Sequence, residues 1–147
     1  MEASSKQITI VDAEGLIIGR MASIIAKRLL TGEEIAIVNA EKAVISGKRK
    51  SRVMEAKKFL EVGAPRRGPF HYRKPDRIIR STIRGMLPHR QPKGKQAYKR
   101  LQVFIGVPNG LKDQKMETLK SAHAEKLACS YFTVGEFAKE LGWNTGE

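Results

Sequence analysis

Cysteine is almost missing from this chain of 147 residues, for Cys129 stands alone. No internal disulfide can form, so the fold must hold without staples, and a reducing compartment is expected. Long apolar runs are missing too: the longest is interrupted by Arg20 and is far too short to span a bilayer. Residues 1–6 have neither the charged nor the apolar part of a signal peptide, so the expectation is a cytosolic protein with no membrane partner. The three histidines, His71, His89 and His123, show no i, i+3 or i, i+4 pairing with each other or with a cysteine. That spacing supports no zinc site, and no metal or other cofactor is expected. Acidic side chains are scarce in one place, with only Glu55, Glu61 and Asp76 falling within residues 48–100. No spaced pair of carboxylates offers general acid–base chemistry, and no small-molecule substrate is implied.

What the same stretch does hold is cations. Eighteen of the 28 Lys and Arg residues lie within residues 48–100, giving that segment a net charge of +15, while the rest of the chain is close to neutral. Five of the six prolines (Pro65, Pro69, Pro75, Pro88, Pro92) share the segment with Gly63, Gly68, Gly85 and Gly94, so extended, irregular backbone around short helices is expected. A solvated face mixes charge signs; a single-signed excess of this size repels itself unless an anion neutralises it. A polyanion is the implied partner, and basic Gly/Pro-rich loops that reach phosphates, 2′-hydroxyls and unstacked bases favour a folded RNA over DNA. Phe70 and Tyr72 are candidates for stacking on bases, Phe70 being equally suited to packing on its own domain.

Outside the basic segment the periodicity is regular. At this length a single domain spanning residues 1–147 is expected, able to bury roughly 70% of its unfolded surface. Residues 7–11 read as a buried strand, and Ile18, Met21, Ala22, Ile25 and Leu29 recur at helical spacing before a terminating Gly32. Residues 35–38 form a second apolar strand, so strand, helix and strand predict a parallel pair and an α/β fold. A short strand is expected at 43–45, a helix at about 51–60, and a better one starting at Pro75. In the latter, Ile79, Ile83, Met86 and Leu87 form one stripe and Arg77, Arg80 and Arg84 another. Residues 101–105 read as a strand. Thr133 and Glu136 make a capping box for a last helix that stops at Gly142, within a C-terminal helical extension of about residues 111–147. Residues 63–74 and 87–96, rich in Pro, Gly and base and poor in apolar anchors, are expected to be mobile until RNA orders them.

Three other motifs are weak. Gly15 and Gly19, between strand and helix, lack the Gly-x-Gly-x-x-Gly pattern and sit beside Asp12 and Glu14, which repel phosphate; Gly15 is read as a turn and Gly19 as a close helix–sheet contact. Gly63 and Gly68 have the spacing of a phosphate-binding loop, but Pro69 and Phe70 occupy the places of its Lys and Ser/Thr. Cys129 has His123 nearby but no orienting acid, so it reads as an inert side chain. A nucleotide-dependent enzyme is the reading of last resort.

The longer strings carry a resemblance. Asp12-Ala13, Gly19-Arg20-Met21-Ala22-Ser23, Val38-Asn39-Ala40-Glu41 and Ile45-Ser46-Gly47 resemble the universal large-subunit ribosomal protein L-thirteen family. Arg66-Arg67-Gly68-Pro69-Phe70-His71, Ile83-Arg84-Gly85-Met86-Leu87-Pro88-His89, Leu101-Gln102-Val103-Phe104 and Gly106-Val107-Pro108 resemble its archaeal and eukaryotic branch, over about residues 7–110. The resemblance implies a three-layer α/β/α domain with a small, mostly parallel sheet and no catalytic activity. It also implies a structural role on large-subunit rRNA, with other large-subunit proteins as neighbours. Candidate RNA contacts carried over by motif are Arg66, Arg67, His71, Arg84, His89, Lys93 and Gly94, the last two standing where the family usually has Arg-Gly. Charge and position alone add Lys48, Arg49, Lys50, Arg52, Tyr72, Arg73, Lys74, Arg77, Arg80, Arg90, Lys95, Lys99 and Arg100. A free-standing RNA-binding regulator using the same surface is the alternative.

Overall fold

Side-chain alternation along the first strand sets the architecture: Ile10 and Val11 are both buried but point to opposite faces, so the strand must be covered on two sides. A computed structural model describes residues 7–145. Residues 1–6, considered above for a leader, lie outside them. The elements run β1 (Ile8–Asp12), α1 (Ile18–Leu30), β2 (Glu34–Val38), β3 (Val44–Ser46), α2 (Arg49–Glu61), α3 (Pro75–Met86), α4 (Pro92–Lys99), β4 (Leu101–Val103), β5 (Met116–Glu117), β6 (Tyr131–Thr133) and α5 (Val134–Glu140). The main sheet is parallel throughout, in the order β4-β2-β1-β5, with Ile8 opposite Glu34 and Ile35 opposite Leu101.

One face of this sheet carries the larger core. Val11, Ile35, Ile37 and Leu101 meet the stripe Met21, Ala22, Ile25 and Leu29 of α1, and behind these lie Ile79, Ile83 and Leu87 from α3 and its end, with Ala97 of α4. The α1 stripe matches the spacing read from sequence, and α1 closes as expected at Gly32, whose N–H donates to Leu29 O (3.2 Å) while Glu33 N–H donates to Arg28 O (3.3 Å). On the other face Ile10, Ala36 and Val38 are covered by Phe104, Val107, Leu111 and Met116. That second layer comes from an irregular segment with one 3-10 turn, Asn109–Leu111, and not from an α-helix.

Residues 111–145 are not the helical extension expected. They return to add β5 beside β1 and pair β6 antiparallel with β3, Val44 opposite Thr133, before α5 begins. Arg28 fastens this return at the sheet edge, donating to both carboxylate oxygens of Glu117 (3.3 and 3.2 Å) and to Glu33 (2.9 Å). Burial pulls the Arg28 pKa down, but the hydrogen bonds to Glu117 and Glu33 outweigh it and leave the pKa raised. Thr133 caps α5, its Oγ1 accepting from Glu136 N–H at 3.3 Å, and Trp143 N–H reaches Ala138 O at 2.9 Å past Gly142. Among the described residues no helix is long and apolar enough to cross a membrane.

Two glycine readings change. Gly19 is exposed, and a Cβ built on it would meet nothing within 4 Å, so it makes no close contact with the sheet. Gly94, by contrast, is buried in the first turn of α4, where a Cβ would lie 1.9 Å from the carbonyl oxygen of Pro88. Residues 92–96, which the sequence reading assigned to an irregular arm, open α4, a helix seated against the turn that follows α3. Pro92 stands at its start, where a missing N–H costs nothing.

The contrast between Gly94 and Gly85 is measurable. Gly94→Ala should destabilise by about 2–3 kcal/mol, because backbone must move to admit the methyl. Gly85→Ala in α3, with open space around its Cβ, should be neutral or stabilise by about 0.5 kcal/mol through helix propensity. Denaturant midpoints of the two variants against the parent protein decide it; similar shifts in both would show that Gly94 is not a close-contact position.

Candidate nucleic-acid interface

The basic segment forms α2, a loop, α3 and α4, and it contributes few side chains to the interior: Val53, Ile79, Ile83, Leu87 and Ala97 are its buried hydrophobics. The cations lie on the opposite sides of these elements for the reason that makes the helices amphipathic. Among the described residues only Arg49 and Arg52 of the 18 bases make ion pairs, Arg49 with Glu140 of α5 (2.6 Å) and Arg52 with Glu55 (3.8 Å). The first turn of α2 carries Arg49, Lys50 and Arg52 after Lys48 and has no acid and no side-chain cap. Positive charge at a helix N-terminus is unfavourable on its own, and becomes favourable when an anion sits there with it.

Residues 63–74 make a tight excursion between α2 and α3. Ala64 and Gly68 exchange backbone hydrogen bonds (3.2 and 3.0 Å), and Arg66 and Arg67 stand exposed at the tip. Gly63 has φ +97°, and a Cβ there would lie 2.2 Å from Gly68 O, so only glycine closes the turn; the Gly68–Pro69 peptide is cis. The chain then runs back through Phe70, His71, Tyr72, Arg73 and Lys74, all exposed. Arg77 and Arg84 of α3 are exposed as expected, with the Arg77 guanidinium 5.7 Å from the centre of the Tyr72 ring. Arg90, Lys93, Lys95 and Lys99 are exposed around α4.

Four of the residues read as RNA contacts are spent elsewhere. Arg80 is half-buried; its Nε donates to Tyr98 Oη at 2.9 Å and its guanidinium lies 4.7 Å from the Tyr98 ring centre, tying α3 to α4. Arg100 donates to Leu29 O at 3.1 Å, satisfying a carbonyl at the end of α1. Gly94 is packed under Pro88, and half-buried His89 turns back on Leu87 O. Met86, placed in the apolar stripe from sequence, is exposed. His123 sits half-buried between two 3-10 turns against Gly15.

Other residues escaped the sequence reading. Lys57 and Lys58 line a groove of about 750 Å³ with Arg49, Lys50, Val53, Met54, Glu61 and Glu140. Phe59 joins Phe70, His71 and Tyr72 around a second groove of about 560 Å³, its ring 5.9 Å from that of His71. Charge marked Lys57 and Lys58, but Phe59 on a helix gave no signal. Among the described residues no group of three His, Cys, Asp or Glu is placed to hold a metal ion, and Cys129 is exposed.

Comparison with known proteins fits this division into a sheet half and a basic half. The family described as Ribosomal protein L13 matches residues 6–110, from β1 through the whole basic segment. The chain belongs to that family. It is similar to the large ribosomal subunit protein uL13 of Methanosarcina barkeri, 47% identical over 137 residues, covering 92% of this chain and 98% of the relative. The protein of the same name from Methanocaldococcus jannaschii is 45% identical over 140 residues (92% and 98%), and that of Thermoplasma acidophilum is 40% identical over 133 (90% and 97%). These relatives are archaeal, in line with the branch the motifs resembled, and they match past residue 110 into the returning C-terminal segment.

The internal task of Arg80 can be separated from that of the outward bases. Arg80→Met and Tyr98→Phe should each lower stability by about 1 kcal/mol and should be coupled in a double-mutant cycle, whereas Arg84→Met should stay within about 0.5 kcal/mol of the parent. Additive effects of Arg80→Met and Tyr98→Phe would rule out the tie between α3 and α4.

Proposed function

We propose that this protein is a non-enzymatic structural constituent of the large ribosomal subunit, working in the cytoplasm. There it binds and braces folded rRNA through the basic side of α2, residues 63–74, α3 and α4, beside neighbouring subunit proteins. The observation that carries the reading is the segregation of charge. Eighteen bases stand with three acids on one stretch of a domain whose other half is nearly neutral, and few of those bases have a partner inside the protein. Family membership, with relatives named for the large subunit and matched over nearly their whole length, supplies the particular RNA. The contacts proposed are Lys48, Arg49, Lys50 and Arg52 at the start of α2; Arg66, Arg67, His71, Tyr72, Arg73 and Lys74 in the loop; Arg77 and Arg84 on α3; and Arg90, Lys93, Lys95 and Lys99 about α4. Arg80 and Arg100 act indirectly, holding the helices that carry them.

Phosphate-dominated binding has a salt signature. If about eight phosphates are neutralised, the logarithm of affinity for the rRNA target should fall against the logarithm of salt with a slope of roughly −6 to −7, between duplex and single-strand values. A slope near −2 contradicts the reading. Sedimentation gives the complementary test: the native protein should travel with large subunits through a high-salt wash. Release into the free pool would favour an RNA-binding protein that acts off the ribosome.

A further inference from the structure

The groove between α2 and α3 differs in chemistry from the rest of the basic surface. Its floor is apolar, formed by Leu60 and Ile78 with Phe137 of α5 and Leu141 just past it, and its rim holds Phe59, Phe70 and Tyr72. These three rings are 63%, 75% and 53% exposed, and they are three of the four exposed Phe and Tyr side chains among the described residues. Clustering of that kind leaves apolar surface in water and is unfavourable for the free protein. No carboxylate lines the groove, Arg84 does, and Arg77 stands over the Tyr72 ring. The neighbouring groove on α2 is the reverse, with four bases, two acids and no aromatic.

We propose that the aromatic groove seats an unpaired RNA nucleotide, its base stacked against Phe59 or Phe70 and its phosphate held by Arg84. This deepens the RNA-binding reading above and rests on it. Aromatic rings bind the face of any base, and a base within a duplex hides both its faces in the stack, so the site selects nucleotides that a bulge, loop or end has turned out. The hydroxyl of Ser81 and the ring of His71 lie in the lining and can meet the base edge, while Thr82 is spent on Ile78 O at 2.9 Å. Positive charge without a counter-acid suits the phosphate of a nucleotide.

The test compares two labelled probes by fluorescence anisotropy at one ionic strength: a single-stranded RNA of about ten nucleotides and a fully paired RNA duplex of about twice that length. Phe59→Ala and Phe70→Ala should each weaken single-strand binding about tenfold and leave duplex binding within about twofold, as expected for the loss of one stacked base. Phe70→Tyr should restore the single-strand affinity, and Arg84→Gln should weaken both probes. Both phenylalanines are exposed, so melting temperatures should stay close to the parent's and folding will not confuse the result. If the two alanine variants bind both probes as the parent does, or lose both equally, the groove is not a base seat, while the phosphate-binding reading stands. If the parent binds neither probe, the RNA reading fails and this proposal fails with it.

Discussion

The basic segment hangs on the burial of a narrow apolar stripe, Ile79, Ile83 and Leu87, packed into the core with α1 and the sheet. The 53 residues that carry the +15 contribute only those three, Val53 and Ala97 as buried hydrophobics. Full burial of an Ile or Leu contributes about 1.5–3 kcal/mol, and this anchoring set works against the mutual repulsion of the bases. The arrangement is workable because α3 lies across both α1 and β4, letting one helix hold the loop before it and α4 after it. The domain is in this sense a carrier: a neutral half supplies cohesion, and a charged half is fixed to it along one line.

Within that charged half, residues of one type do opposite work. Arg80 and Arg100 look like the exposed arginines in sequence, yet each turns its guanidinium inward to an oxygen, Tyr98 Oη in one case and Leu29 O in the other. The planar, multi-donor guanidinium suits this, since it can satisfy an internal acceptor while its stem covers apolar surface. Arg28 does the same across the sheet edge with Glu117. A charge census thus overstates the number of bases free to face outward, since Arg80 and Arg100 hold the helices and strand ends of their own domain.

What could be read from the sequence follows from how local the causes are. β1, α1 and β2 were legible because side-chain period and the closing Gly32 act within a few residues, and α5 because the Thr133 hydroxyl caps it three residues ahead, at Glu136 N–H. α4 was not, for Pro92 and Gly94 read as breakers; their tolerance comes from a helix start in one case and from the Pro88 carbonyl in the other. Met86 was misplaced because it is the last residue of α3, where the buried stripe has already passed to Leu87. β5 is two residues long and β6 pairs with a strand almost ninety positions earlier, so no local pattern could announce either. The basic surface was legible in outline because net charge needs no geometry, while the groove of Phe59, Phe70 and Tyr72 needed the turn at Gly63 to bring its parts together.

The position of β5 also bears on how the protein is made. β1 lies between β2 and β5 in the finished sheet, and the two-stranded sheet of β3 is completed by β6. Synthesis runs from the N-terminus, so all of residues 48–100 exist before residues 116–117 and 131–133 that close the two sheets. The nascent chain thus passes through a stage at which its cations are complete and its scaffold is not.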